Sequence, residues 1–191
     1  IYKVFPILVF LLLGSSCPGI SQVFEEGPDD FFLRHIDISN GLSNNNVTKI
    51  VEDRFGRMWF ATEGGINRYD SKKIKILRPS DRYQGLRNEN IETLFVDRDQ
   101  NIWVGTKSGG LSKYFLSEDR FLDLNHKINA ENSASAIRIT DIEQDFEGNI
   151  WVATQGLGMY VLSPDTHELL ASFLPGKVIW DMEVDEYGNI W

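Results

Sequence analysis

An all-β fold, a β-propeller of four-stranded antiparallel blades, is what this sequence predicts, and three observations predict it. First, one pattern recurs four times. It reads "DRFGRMWFATEGGINRY" at residues 53–69, "DRDQNIWVGTKSGGLSKY" at 97–114, "DFEGNIWVATQGLGMY" at 145–160 and "DEYGNIW" at 185–191. Its anchors, Asp53, Asp97, Asp145 and Asp185, stand 44, 48 and 40 residues apart, and a period of about 40–45 residues marks a propeller or a solenoid. Second, β-branched and aromatic residues flank a Gly/Asn turn inside each copy, which is how β-hairpins read. Third, residues 31–191 show no helical period of useful length, so four short strands per unit remain, the content of one blade.

Taken in order, residues 1–22 read as a secretory signal peptide: Lys3, an apolar run from Val4 to Leu13, then small residues,. The run is too short to cross a bilayer as a helix, which takes roughly 20 residues. Cleavage near Ser21 or Gln22 removes Cys17, the single cysteine, and leaves a mature chain without disulfides. A looser alternative makes Cys17, after "LGSS", a lipoprotein site. Residues 23–31, with "EEGPDD", read as an exposed linker,. Its paired carboxylates lack the burial that acid–base work needs. The repeats occupy 32–191. Residues 32–38, "FLRHIDI", read as a strand lent by the terminus to clasp the last blade.

Within each unit an apolar pair precedes the Asp: Val47 and Ile50, Ile91 and Leu94, Ile139 and Ile142, Ile179 and Met182. The Asp carboxylate is expected to accept bonds from turn amides, with Gly56, Gly148 or Gly188 supplying positive φ. Gln100 stands where the others have Gly, so that turn should be strained or differently shaped. Trp59, Trp103 and Trp151 then fall in the second strand, where a large ring fills the gap between neighbouring blades. Gly64–Gly65, Gly109–Gly110 and Gly156–Gly158 reverse the chain into a third strand, and "KIKILR", "RFLDL" and "ELLASF" form the fourth. About 170 residues after the leader fill nearly four blades, and propellers close with about four to eight. The chain therefore reads as an incomplete fragment of about three and a half blades.

"ISNGLSNNNVTKIVEDRFGRMWFATEGGINRYD" and its copies resemble the two-component regulator propeller repeat. The resemblance covers residues 40–191. It departs at Gln100, at "QGLGM", and at "NSASAIRI" ahead of the third unit. It implies an exported periplasmic sensor, usually with a second propeller in tandem, in a dimeric parent anchored in the inner membrane. It also implies an output module beyond this sequence, a histidine kinase or a diguanylate cyclase, and a small-molecule or oligosaccharide ligand.

Composition supports this. Apolar residues are 42% and charged residues 25%, ordinary for a globular chain. A net charge of −9 without a basic patch argues against a nucleic-acid partner. No catalytic, cofactor or metal residue is assigned. His35, His126 and His167 have no metal-ligand partner at short spacing. "THELL" at 166–170 echoes a phospho-accepting segment but lacks what should follow, so His167 reads as an exposed turn histidine. "DRDQN" at 97–101 echoes a calcium loop, with Ile102 and Ser108 where Gly and Glu belong,. Ligand contacts would fall on the long connections 79–90 and 123–138, where Arg82, Tyr83, Arg87 and Asn88 could present a platform and donors to a sugar. The plainer reading is an ordinary polar loop. Two other functions stand as alternatives: a sialidase-like glycan hydrolase, which needs a central acid, a nucleophile and an arginine cluster, and a protein-interaction scaffold.

Overall fold

The computed structural model of the chain describes residues 34–128 and 136–191. The expected leader at 1–22 with Cys17, the linker at 23–31, and residues 32–33 of the clasp strand lie outside the described residues. Three four-stranded antiparallel sheets follow one another. The first holds β1 (Val47–Glu52), β2 (Met58–Thr62), β3 (Gly65–Tyr69) and β4 (Ile74–Leu77). The second holds β5 (Ile91–Val96), β6 (Ile102–Thr106), β7 (Leu111–Phe115) and β8 (Arg120–Asp123). The third holds β9 (Ile139–Gln144), β10 (Ile150–Thr154), β11 (Met159–Leu162) and β12 (Leu169–Phe173). Each sheet is a plain meander. The fourth unit is a hairpin closed by the Val184–Ile190 bridge, with Glu183 and Trp191 exchanging both backbone bonds.

The turn from first to second strand repeats almost unchanged. The amide three residues after the Asp donates to the Asp carbonyl: Gly56 at 2.9 Å, Gln100 at 2.9 Å, Gly148 at 3.1 Å and Gly188 at 3.0 Å. The Asp amide donates to the carbonyl four residues on, at 3.0–3.1 Å in all four units. This is the three-residue hairpin loop with a left-handed residue in its third place. Gln100 takes that place at φ 68°. Its turn is therefore strained rather than reshaped. Its side chain gives something back: Oε1 accepts the amide of Arg54 in the neighbouring turn at 2.8 Å.

Blades meet through apolar slots. Trp59 and Trp103 are 0% exposed. Trp59 packs with Leu94, Ile102, Tyr114 and Phe121 of the second blade. Trp103 packs with Ile139, Ile142, Ile150 and Val152 of the third. Trp151 is partly exposed; it stacks on Phe173 at 5.5 Å and lines a cavity of about 460 Å³ with Met182, Ile190 and Trp191. On the inner side β1 lies against β5 and β5 against β9. Thr48 Oγ1 donates to the carbonyl of Ile91 at 3.0 Å, and Thr140 Oγ1 to that of Ile179 at 2.6 Å.

Of the expected clasp strand, residues 34–38 are described. Residues 34–37 form no strand, and Ile38–Asn40 is a turn of 3₁₀ helix. Its amides are taken locally: Asp37 N donates to Asn40 Oδ1, Ile38 N to Asn45 Oδ1 and Ser39 N to Asp37 Oδ1. Backbone donors bonded to nearby Asp and Asn side chains are no longer free for a ladder.

Candidate functional site

The repeated Asp does more than hold its turn. Oδ1 accepts turn amides, as from Phe55, Asn101, Asn149 and Tyr187. Oδ2 accepts the indole Nε1–H of the Trp six residues on, at 2.9 Å in units one and two and 2.8 Å in units three and four. One carboxylate thus fixes both the turn and the ring that fills the slot. The signal was present in the sequence, because Asp and Trp keep a constant separation in all four copies.

The calcium echo dissolves on this geometry. Asp97 is buried, and its Oδ2 also pairs with Lys113 Nζ at 3.2 Å. Lys113 is itself 3% exposed, lies 4.7 Å from the Trp103 ring centroid, and donates to the carbonyl of Pro164. His167 is corrected too. It sits partly buried at φ 58°, against Trp103 and Phe115. Burial, with Lys113 and Lys127 close by, holds its pKa below the usual value. His35 and His126 are exposed.

Of the loop residues named for a sugar, Tyr83 is buried, whereas the side chains of Arg82 and Arg87 stay exposed. Tyr83 is 6% exposed, edge-on to Phe121 at 5.5 Å, and donates to Asp119. Arg82 pairs with Asp119, Arg87 with Asp123, and Asn88 with Ser108. Asp119 gathers Lys75, Arg82, Tyr83 and Tyr114, and those donors hold its carboxyl well below the ordinary range against the burial that would raise it. In the second connection Leu124, just before the short helix α1 (Asn125–Ile128), and Ile128 at its end enter the slot beside Trp103. These loops plug the slots between blades, so they offer no aromatic platform at Tyr83.

The structure brings together a different set. Four positions before each anchor Asp stand Lys49, Thr93, Asp141 and Asp181. They converge from successive inner strands. Lys49 Nζ lies 3.4 Å from Asp141 Oδ1, across the first and third units. Thr93 Oγ1 lies 3.4 Å from the same oxygen, and the Met182 amide donates to Asp141 Oδ2 at 3.1 Å. Two residues further along, Glu143 and Glu183 occupy equal positions beside this ring. Burial pushes the Asp141 carboxyl up, and a hydrogen bond with Asp181 adds to that while Lys49 opposes it. Burial, then repulsion from Asp141, pushes Glu143 up to about 7. The ring is acceptor-rich, and Lys49 is the cation among these residues. Sequence reasoning missed it because it searched within units, whereas the ring is one offset compared between units.

Residues 41–64, 85–108 and 133–156 match the family model described as two component regulator propeller. The extracellular domain of the hybrid two component system BT3049 from B. thetaiotaomicron superposes with a TM-score of 0.69 at 26% identity, over 82% of this chain and 23% of that one. The extracellular domain of BT4673 from the same organism, at 24% identity and a TM-score of 0.63, covers 82% of this chain and 21% of its own, and shares the fold. Histidine kinase P4 of Formosa agariphila is 28% identical over 75 residues, which is 39% of this chain and 5% of that protein. The chain thus spans under a quarter of the length of each.

Proposed function

Because this chain is built of two-component regulator propeller repeats, we propose that it is the extracytoplasmic, ligand-sensing part of a membrane-bound two-component signalling protein. The observation that carries this reading is the superposition of 82% of the chain on the extracellular domain of a hybrid two component system. The propeller supplies a rigid frame, and the inner ring supplies polar groups that a small polyhydroxylated ligand could engage by hydrogen bonds. A glycan-derived oligosaccharide is the ligand class proposed, and a histidine kinase is the proposed output of the parent, supported by the likeness to histidine kinase P4. Export, anchoring in the inner membrane, a second propeller and a dimeric parent belong to the same proposal.

The test is a panel of oligosaccharides titrated calorimetrically against the extracytoplasmic part of the full-length protein, with kinase autophosphorylation followed in parallel on the full-length protein in membranes. Binding that changes phosphate incorporation is expected. Binding without any change in phosphate incorporation, or activity toward the glycan itself, would replace the sensor reading.

A further inference from the structure

The first turn departs from the other three at one position, four residues after the Asp. Asn101, Asn149 and Asn189 stand there in later units, and each gives its side-chain amide to the anchor carboxylate. The first unit has Arg57. Its Nε makes the equivalent bond, to Asp53 Oδ2 at 2.7 Å. Its Nη2 is left over: buried, with no acceptor on the protein. A cleft of about 350 Å³ opens there between the first and second turns, lined by Arg54, Arg57, Phe55, Asp99 and Gln100. The guanidinium carbons of Arg54 and Arg57 lie 4.9 and 4.7 Å from the centroid of the Phe55 ring, so both cations line the cleft beside that ring. Gln100 spends its Oε1 on the Arg54 amide, which leaves its Nε2 as a further donor.

The neighbouring slot shows what closure looks like. Arg98, equivalent to Arg54, donates Nη1 to the carbonyl of Phe146 at 2.9 Å and Nη2 to that of Asp145 at 2.7 Å. Arg54 instead lies over Phe55. The first slot is therefore open and donor-rich where the second is clamped shut.

We propose that this cleft binds a small oxyanion, a carboxylate or a sulfate group, between Arg54 and Arg57. A guanidinium presents paired donors matched to such groups, and a buried donor without an acceptor is stabilised by any ligand that supplies one. Asp53 already pairs with Arg57 and Asp99 is exposed at the rim, so the two carboxylates offset the two positive charges and a monoanion is favoured over a multiply charged one. The inference concerns binding alone and stands whether or not binding is signalled.

Calorimetric titration of the full-length protein's extracytoplasmic part tests it, with sodium glucuronate, sodium sulfate and neutral glucose at constant ionic strength, because exposed charges are screened by salt. Saturable binding of at least one anion and none of glucose is expected, and which anion binds tells carboxylate from sulfate. Arg57→Asn restores the residue of the other three units and keeps a donor for Asp53, so the turn still forms. It should weaken binding about tenfold or more, the worth of one charge-assisted bond. Asp99→Asn should tighten binding, and Lys177→Gln, which removes an exposed cation beyond the third sheet, should leave it unchanged. No saturable binding of either anion at tens of millimolar, or wild-type affinity in Arg57→Asn, overturns the proposal.

Discussion

At the residue scale, the anchor Asp and its Trp form one unit of stability, and the second copy is the most demanding. Asp97 serves the Trp103 indole, the Asn101 amide and the buried Lys113 at once. Trp103→Ala should cost roughly 3–5 kcal/mol, as buried aromatic truncations do. Trp103→Phe keeps most of the volume and loses the indole donor, at about 1–3 kcal/mol. Chemical denaturation of the full-length propeller checks both, and a cost under about 1 kcal/mol for Trp103→Ala would show the ring to be dispensable to the slot. Glu143 gives a prediction of opposite character. Its ordinary pKa of 4.5 rises to about 7 on folding, so the folded state holds the proton more tightly than the unfolded one. Stability from this group is complete below about pH 4.5 and is lost as pH climbs through 7. His167, depressed below 6.5 by burial, acts in the reverse sense, losing stability as pH falls. Subtracting a Glu143→Gln pH–stability curve from the native one isolates the carboxyl. The difference should decline between pH 5 and 7, and a flat difference would mean Glu143 ionises freely beside Asp141.

At the element scale, the glycines that end the second strand do unequal work. Gly110 has φ 74°, and a Cβ there would fall 1.7 Å from Asn125 Oδ1, the atom that accepts the Leu111 amide. Gly156 has φ 101° with nothing within 4 Å. Alanine at either strains the backbone by about 1–3 kcal/mol, but only Gly110→Ala must also displace Asn125 and expose a buried amide. Gly110→Ala should therefore lower the thermal midpoint clearly more than Gly156→Ala; equal shifts would show that Asn125 moves aside freely. These elements also mark how far the sequence could be read. Strands, turns and the meander were legible because each is written in consecutive residues: the apolar pair, the Asp-turn-Gly, the Gly reversal. The run "FLRHIDI" gave no sign that the side chains of Asn40, Asn45 and Asp37 would bond the amides of Asp37, Ile38 and Ser39. The burial of Tyr83 was not legible because Tyr83 and Leu86 supply apolar area to a slot between sheets, and a slot between sheets leaves no period in either one. The inner ring around Asp141 was hidden for the same reason, its members being some 40 residues apart.

At the scale of the whole molecule, the slots set how the chain behaves in solution. Leu94, Ile142 and Met182 occupy one repeat position, each packed beneath the Trp of the blade before it, and are 0%, 0% and 4% exposed. Ile50 occupies the same position in the first blade and is 52% exposed. At the other end Trp191 is 77% exposed although its indole is already bonded to Asp185, and Phe173 and Leu174 stand open beside it. One face therefore offers the apolar pair without a Trp above it, and the other offers a Trp without an apolar pair. The two are complementary but lie on different sides of the repeat array. Such a head-to-tail match either closes into a ring or propagates from copy to copy, and each exposed strand edge adds main-chain groups ready to pair. Residues 23–191 produced alone should consequently be oligomeric or aggregated, whereas a polypeptide extended by further repeats to a closed ring should be monodisperse. Light scattering coupled to size exclusion distinguishes them. Ile50→Lys, which places a charge on the open face, should shrink the assemblies of the shorter polypeptide and leave its strand content unchanged by circular dichroism. A monodisperse, cooperatively unfolding monomer of residues 23–191 would mean that the two faces are satisfied within the chain, and the open-ring arrangement would fall.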